Sequence, residues 1–230
     1  MIIDQPASIG DILFIEPIVK SMVAIWQHPV LPVRDHLYFL GSYLDIPIDK
    51  LSKYSPDFLH EQPNNCILNL RHANQIMRNH PLHYHDDYEN CMPDKYTMAG
   101  LPLHIWTSLN INFNYKKGIQ LYKELGLKEG EKYILINNHS QAGTLNIKVQ
   151  TKYKVVKMEF ISDYNVLDWW YVMLKAQENH HVSTCTFFIF QAIANQYILD
   201  SKIFIYPRPG PDGLRGISKL NPTFKFIKCE

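Results

Sequence analysis

A carboxylate follows a glycine at the first strand-to-helix junction of this chain. Met1-Ile2-Ile3 is an apolar opening fit for a strand, and Ser8-Ile9-Gly10-Asp11-Ile12-Leu13-Phe14-Ile15-Glu16-Pro17 leads from it into a helix. Open α/β sheets collect ligands beyond the carboxyl ends of their strands, beside the helix N-termini that follow. Gly10 and Asp11 are therefore a candidate active site. The same pair would also serve as a tight turn with an aspartate helix cap. Late in the chain, Ser183-Thr184 precedes an apolar helix, whose N–H groups and positive end attract a diphosphate while the hydroxyls add donors. A plain hydroxyl cap is the alternative there. Glu159 closes the run Val155-Val156-Lys157-Met158, and a carboxylate at a strand end can accept from both hydroxyls of a ribose. It also reads as a solvated strand-end residue.

The elements that must position these residues alternate between strand and helix. Apolar side chains at Ile12, Ile15, Val19, Met22, Val23 and Trp26 have helical spacing, with Pro17 beginning or kinking the helix. Val30–Val33 reads as a strand demoted to an edge by Pro32, His36–Leu44 as a short helix and Cys66–Leu70 as the third strand. Residues His72–Pro102 are polar and read as one long irregular connection. A helix over Ile119–Leu127, closed by Gly126 or Gly130, then leads into the strand Tyr133–Asn137. Beyond it come a strand over Lys154–Phe160 and a helix over Val166–Gln177, opened by an Asn165/Asp168 capping pattern. An apolar helix over Phe187–Ala194 and a last strand over Ile203–Tyr206 complete the reading. Two α/β units follow, with residues 1–117 in the first and 118–230 in the second.

The 8–17 segment resembles the N-terminal motif of the heptosyltransferase-like glycosyltransferases, family nine of the sugar-nucleotide transferases. In these, Gly-Asp, a few apolar residues and a Pro follow the first strand, and Gly10, Asp11, Ile12, Leu13 and Pro17 fall where that pattern wants them. The resemblance implies a compact GT-B fold, two Rossmann-like domains facing a cleft, with the acceptor in the N-terminal half and the nucleotide-sugar donor in the C-terminal half. It makes His181-Val182-Ser183-Thr184 look like the hydroxyl-bearing stretch that contacts donor phosphates, and it puts Asn138, His139 and Ser140 on the loop near those phosphates and a ribose-binding acid near Glu159. A surface turn is an equal reading of residues 138–140, which depart from the family's Ser/Thr-plus-Lys pattern. The reaction it implies moves a sugar onto an acceptor hydroxyl with inversion. Asp11, ionised at neutral pH with an unperturbed pKa of about 3.9, is the general base. No cofactor is expected beyond the nucleotide-sugar, which is a substrate. A saccharide or another hydroxyl compound is the expected acceptor. The chain contains no Asp-x-Asp pair of the kind that holds a metal on the donor in other transferases, so metal-independent chemistry is expected, with dipoles and hydroxyls steadying the leaving group.

Other classes find less support. With 46% hydrophobic residues the chain is globular, and a net charge of +1 gives no global basic field for nucleic acid or an anionic membrane. Cys66, Cys91, Cys185 and Cys229 have neither close pairing nor finger spacing. No basic-then-apolar leader and no long apolar run occur, so a cytoplasmic protein without a membrane span is expected. His83-x-His85-x-Asp87 resembles a metallo-β-lactamase metal motif, but Tyr88 stands where that motif wants a further His. A polar loop is the favoured reading, and no metal ligand is assigned. From Ser201 onward six Lys or Arg interleave with aromatics, the sole sequence support for a modified base in DNA as acceptor, as in viral enzymes. A non-catalytic nucleotide- or glycan-binding protein of the same fold is the other alternative.

Overall fold

In the first half, four short strands run parallel: β1 (Ile2–Asp4), β2 (Leu31–Val33), β3 (Ile48–Lys50) and β4 (Ile67–Asn69). The structure, a computed structural model, describes residues 1–5, 8–25, 28–54, 67–70, 91–209, 220 and 225–226. β1 pairs with β4 and β2 with β3, and the two ladders meet through a bridge between Ile2 and Val30. The resulting order, β3-β2-β1-β4, is that of the first half of a doubly wound fold. The Leu31 N–H donates to Pro47 O, towards β3, so Pro32 turns its missing N–H towards β1. The backbone bridging between β1 and the β2 segment is accordingly confined to Val30. Pro32 thus does not put β2 at an edge; it thins an internal junction.

The helix α1 (Ile9–Ile25) begins three residues earlier than its apolar spacing predicts, so Gly10 and Asp11 lie in its first turn. Residues 12–19 of α1 are all buried, Glu16 included, and Pro17 sits inside the helix rather than at its start. The 35–42 segment is a 3₁₀ turn. Part of the expected 72–102 connection is a helix, α2 (Cys91–Met98), with Met92, Asp94, Lys95 and Tyr96 buried. Tyr96 donates its hydroxyl to Phe14 O at 2.7 Å and meets the Phe14 ring edge-on, which clamps α2 to α1.

The chain divides into two compact units, Met1–Asn112 and Phe113–Glu230. A boundary at 117/118 would cut α3 (Tyr115–Glu124), which Asn114 caps by accepting from Lys117 N. Gly126, at φ +66°, ends that helix in the left-handed region. The sheet of the second unit is built from β5 (Tyr133–Asn137), β8 (Lys154–Lys157), β9 (Glu178–Val182), β10 (Lys202–Tyr206) and β11 (Lys225–Phe226). A small hairpin, β6 (His139–Ser140) and β7 (Gly143–Thr144), follows β5. All five sheet strands are parallel, in the order β8-β5-β9-β10-β11. In sequence rank this is 2-1-3-4-5, the flavodoxin-like order.

Three expectations for this unit change. Ile203–Tyr206 is not the last strand, because β11 pairs with it. β8 stops at Lys157, which leaves Glu159 beyond its end. The expected 166–177 helix is a 3₁₀ turn over Val166–Trp169 leading into α4 (Trp170–Lys175), opened by the anticipated capping box: Asn165 accepts from Leu167 N and Asp168 accepts from Asn165 N.

β9 was not legible as a strand, because Glu-Asn-His-His is polar. Its polar side chains have defined neighbours on both faces, although the His181 ring nitrogens and Asn179 Oδ1 have no hydrogen-bond partner among the described residues. Towards α4 and α5 (Thr186–Gln196), Asn179 donates to Met173 O and Ser201 Oγ, and the His181 ring stands edge-on to Phe190. On the opposite face His180 stacks on Phe204, with Nε2 3.3 Å from Glu178 Oε2 and Nδ1 2.9 Å from Tyr206 Oη. A carboxylate only accepts, so Nε2 carries the proton and Tyr206 donates to Nδ1.

Candidate functional site

Both units present their candidate residues where strand order reverses, the place where open α/β sheets bind ligands. In the first unit that point lies between β1 and β4. Ser8, just before α1, and Asp11 form half of a capping box, with Ser8 N at 3.2 Å and Ser8 Oγ at 2.8 Å both donating to Asp11 Oδ2. The other oxygen, Oδ1, accepts from Lys95 Nζ at 3.1 Å, 84 residues away in sequence. Burial pushes the Asp11 pKa up, but the Lys95 charge and the hydrogen bonds from Ser8 and Lys95 outweigh it and hold the carboxyl below its ordinary range. The exposures are unequal, 29% for the Asp11 side chain and 4% for that of Lys95. The anion is thus the presented end of the pair and the cation its buried end. Gly10, half-buried, lies beside it in the first turn.

In the second unit the reversal lies between β5 and β9, where Asn137, the last residue of β5, is the register partner of His181, one residue before the end of β9. Asn137 Nδ2 donates to Thr184 Oγ1 at 3.5 Å and its Oδ1 accepts from His139 N, so the segments after the two strands are tied together. Thr184 Oγ1 also meets Thr186 Oγ1 at 3.1 Å. Ser183 donates its N–H to Tyr206 O, and its hydroxyl is buried with no hydrogen-bond partner among the described residues. Neither Ser183 nor Thr184 is the helix cap: the N-cap of α5 is Cys185, and no side chain caps it. His139, exposed, bonds Thr144 Oγ1 across the hairpin, and Ser140 Oγ closes the turn by donating to Gly143 O. Asn138 is half-buried and its carbonyl accepts from Leu145 N.

Two predicted residues stand apart from this cluster. Glu159 lies exposed beyond the end of β8, hydrogen-bonded to none of the other candidates. His181 has no exposed surface and its ring faces α5. The 80–87 histidine-rich run lies outside the described residues, as do Arg215, Lys219 and Lys228 of the basic tail. Sequence reasoning missed Lys95, which sits in a polar stretch with no periodic signal, and gave Asn137, at the strand end on the lip of the second sheet, no role of its own. Ser8 had a signal in its Ser-x-x-Asp spacing.

No family model matches the sequence, and no curated protein sequence matches it significantly. Among solved structures the chain is similar to the crystal structure of a glycosyl transferase family 9 protein from Veillonella parvula, with a TM-score of 0.56 and 12% sequence identity. The match covers 98% of this chain and 85% of that one. The chain shares the fold of that protein. Its parallel sheets, with helices between the strands, are the Rossmann-like α/β architecture that the sequence order led us to expect. Among the described residues no helix is long and apolar enough to cross a membrane.

Proposed function

We propose that this chain is a glycosyltransferase of the GT-B type that moves a sugar from a nucleotide-sugar to an acceptor hydroxyl, with inversion and without a metal. The observation that carries the reading is Asp11: an ionised carboxylate at the strand-order reversal of one unit, in a chain whose fold along 98% of its length is that of a family 9 transferase structure. As base, Asp11 takes the acceptor's proton while the acceptor oxygen bonds the anomeric carbon and the bond from that carbon to the diphosphate oxygen breaks. The electron pair leaves with the nucleoside diphosphate. In the second unit the donor phosphates meet Ser183, Thr184 and the N-terminal end of α5, with Asn138, His139 and Ser140 on the neighbouring lip and Glu159 for the ribose.

Asp11→Asn is expected to lower turnover about 10²–10⁴-fold with donor affinity nearly intact. The assay is nucleoside diphosphate release across a panel of UDP-, ADP-, GDP- and CMP-sugars with sugar acceptors. Near-normal turnover in the variant removes Asp11 from the mechanism. One observation favours a second reading, a non-catalytic nucleotide- or glycan-binding protein: Ser8 and Lys95 already give Asp11 a complete structural task. Calorimetric binding of a sugar nucleotide with no sugar release to any acceptor, water included, would establish that reading instead.

A further inference from the structure

Lys95 is a buried cation on a helix whose residues 92–96 are all buried, and its described ionic partner is the carboxylate that the proposed reaction uses. A buried ammonium costs several kcal/mol unless paired, so Lys95 is not interchangeable with the apolar residues around it. The carboxylate has about four acceptor positions, two on each oxygen. Ser8 fills both positions on Oδ2 through its N–H and hydroxyl, and Lys95 fills one on Oδ1. Among the described residues, this leaves Asp11 a single acceptor position, on Oδ1, beside the ammonium.

We propose, resting on the reading of Asp11 as the base, that Lys95 is its positioning residue, fixing Oδ1 from the protein interior so that an acceptor hydroxyl meets one defined lone pair of the carboxylate. The tether is itself held, because Tyr96, the next residue, is clamped to Phe14 of α1. Lys95 also resets the base. Once Oδ1 carries the acceptor's proton, a buried ammonium faces a neutral acid, and releasing the proton to water restores the pair. The ionisable groups on the segments that pack against α1 include Asp94, Lys95 and Tyr96 of α2 and His104 of the 103–108 turn, with Asp4 on the strand before it. Of these, Lys95 is the charge that acts on Asp11.

The test follows the Asp11 side-chain carboxyl by NMR over a pH titration of the full chain. In the wild type the midpoint is expected below the ordinary carboxylate value of about 3.9, and in Lys95→Met it is expected to rise by about one unit or more. A wild-type midpoint at or above the ordinary value overturns the proposal without need of a variant, as does an unchanged midpoint in Lys95→Met. Kinetics use whichever sugar nucleotide of the panel the wild type turns over. Lys95→Met should lower kcat about tenfold or more with donor KM within about twofold, and the acid limb of kcat/KM should move up with the NMR midpoint. Lys95→Arg should return the acid limb towards its wild-type position. Wild-type kcat and acid limb in Lys95→Met, where Asp11→Asn is inactive, overturn the role of Lys95 and leave the base standing. An active Asp11→Asn removes the base and the proposal with it.

Discussion

Replacing His181 by leucine removes an imidazole that is wholly buried and whose two ring nitrogens have no hydrogen-bond partner among the described residues. Burial, helped by the neighbouring His180, pushes its pKa from 6.5 down to about 3. In the unfolded chain the same ring takes up a proton near pH 6.5, so between the two values the unfolded state binds more protons than the folded one. The stability this neutral ring contributes is complete above about pH 6.5 and drains away towards pH 3, at about 1.4 kcal/mol per pH unit. At pH 5 the loss comes to about 2 kcal/mol. Leucine keeps a side chain of similar size against Phe190 and abolishes this titration. It also removes an unpaired N–H, so the variant should be more stable by about 1 kcal/mol near neutral pH, and the gap should widen by about 2 kcal/mol at pH 5. His180, whose pKa is also lowered by burial, is present in both proteins and cancels. Urea unfolding at a series of pH values, followed through Trp169 and Trp170 of the same unit, measures the difference. Stability curves that run parallel from neutral pH to pH 5 would refute the reasoning.

Three further outcomes are expected. A Cβ on Gly118 would overlap Trp170 Nε1 and stand 2.9 Å from its Cε2, so Gly118→Ala should lower the Tm. Overpacking of ~1–3 kcal/mol there outweighs the ~1 kcal/mol that alanine gains in a helix, and a raised Tm would contradict it. Ser183→Ala with Thr184→Ala should raise the apparent donor constant ~5–150-fold by calorimetry while costing little stability, because neither residue caps α5. Unchanged binding would move the donor site elsewhere. Tyr96→Phe removes the buried hydroxyl bond to Phe14 O and should cost about 1 kcal/mol in chemical denaturation, and unchanged stability would contradict it.

The sequence was most readable where burial and period coincide. β5, five apolar or aromatic-to-amide residues buried throughout, lies at the residues its pattern predicts, and the Asn165/Asp168 capping box follows from two side chains at fixed spacing. β3 escaped because three residues behind Pro47 carry no period. α2 escaped because its buried residues include Asp94 and Lys95, which local pattern assigns to solvent; their environment comes from α1, about 80 residues earlier. The same blindness explains the site. Asp11 could be placed at a helix N-terminus from local chain alone, whereas the lysine paired with it is a product of tertiary packing. Likewise the link between Asn137 and Thr184 exists only because β5 and β9 are neighbours in the sheet, a fact of topology that no spacing encodes.

The polar composition of β9 has a consequence for how the sheet assembles. In the observed register, Glu178 and His180 meet Lys202 and Tyr206 on one face, while Asn179 and His181 meet α4 and α5 on the other. A slip of one residue would exchange the faces, sending a carboxylate into the helix-packed side and parting His180 from both its partners. A run of valines would tolerate that error; this strand does not. β9 therefore sacrifices some apolar burial for a unique alignment, and the segment that inherits the alignment is Ser183-Thr184, attached directly to its end. Substituting β9 with β-branched apolar residues would be expected to yield a sheet that is harder to melt but whose carboxyl edge no longer has one fixed position.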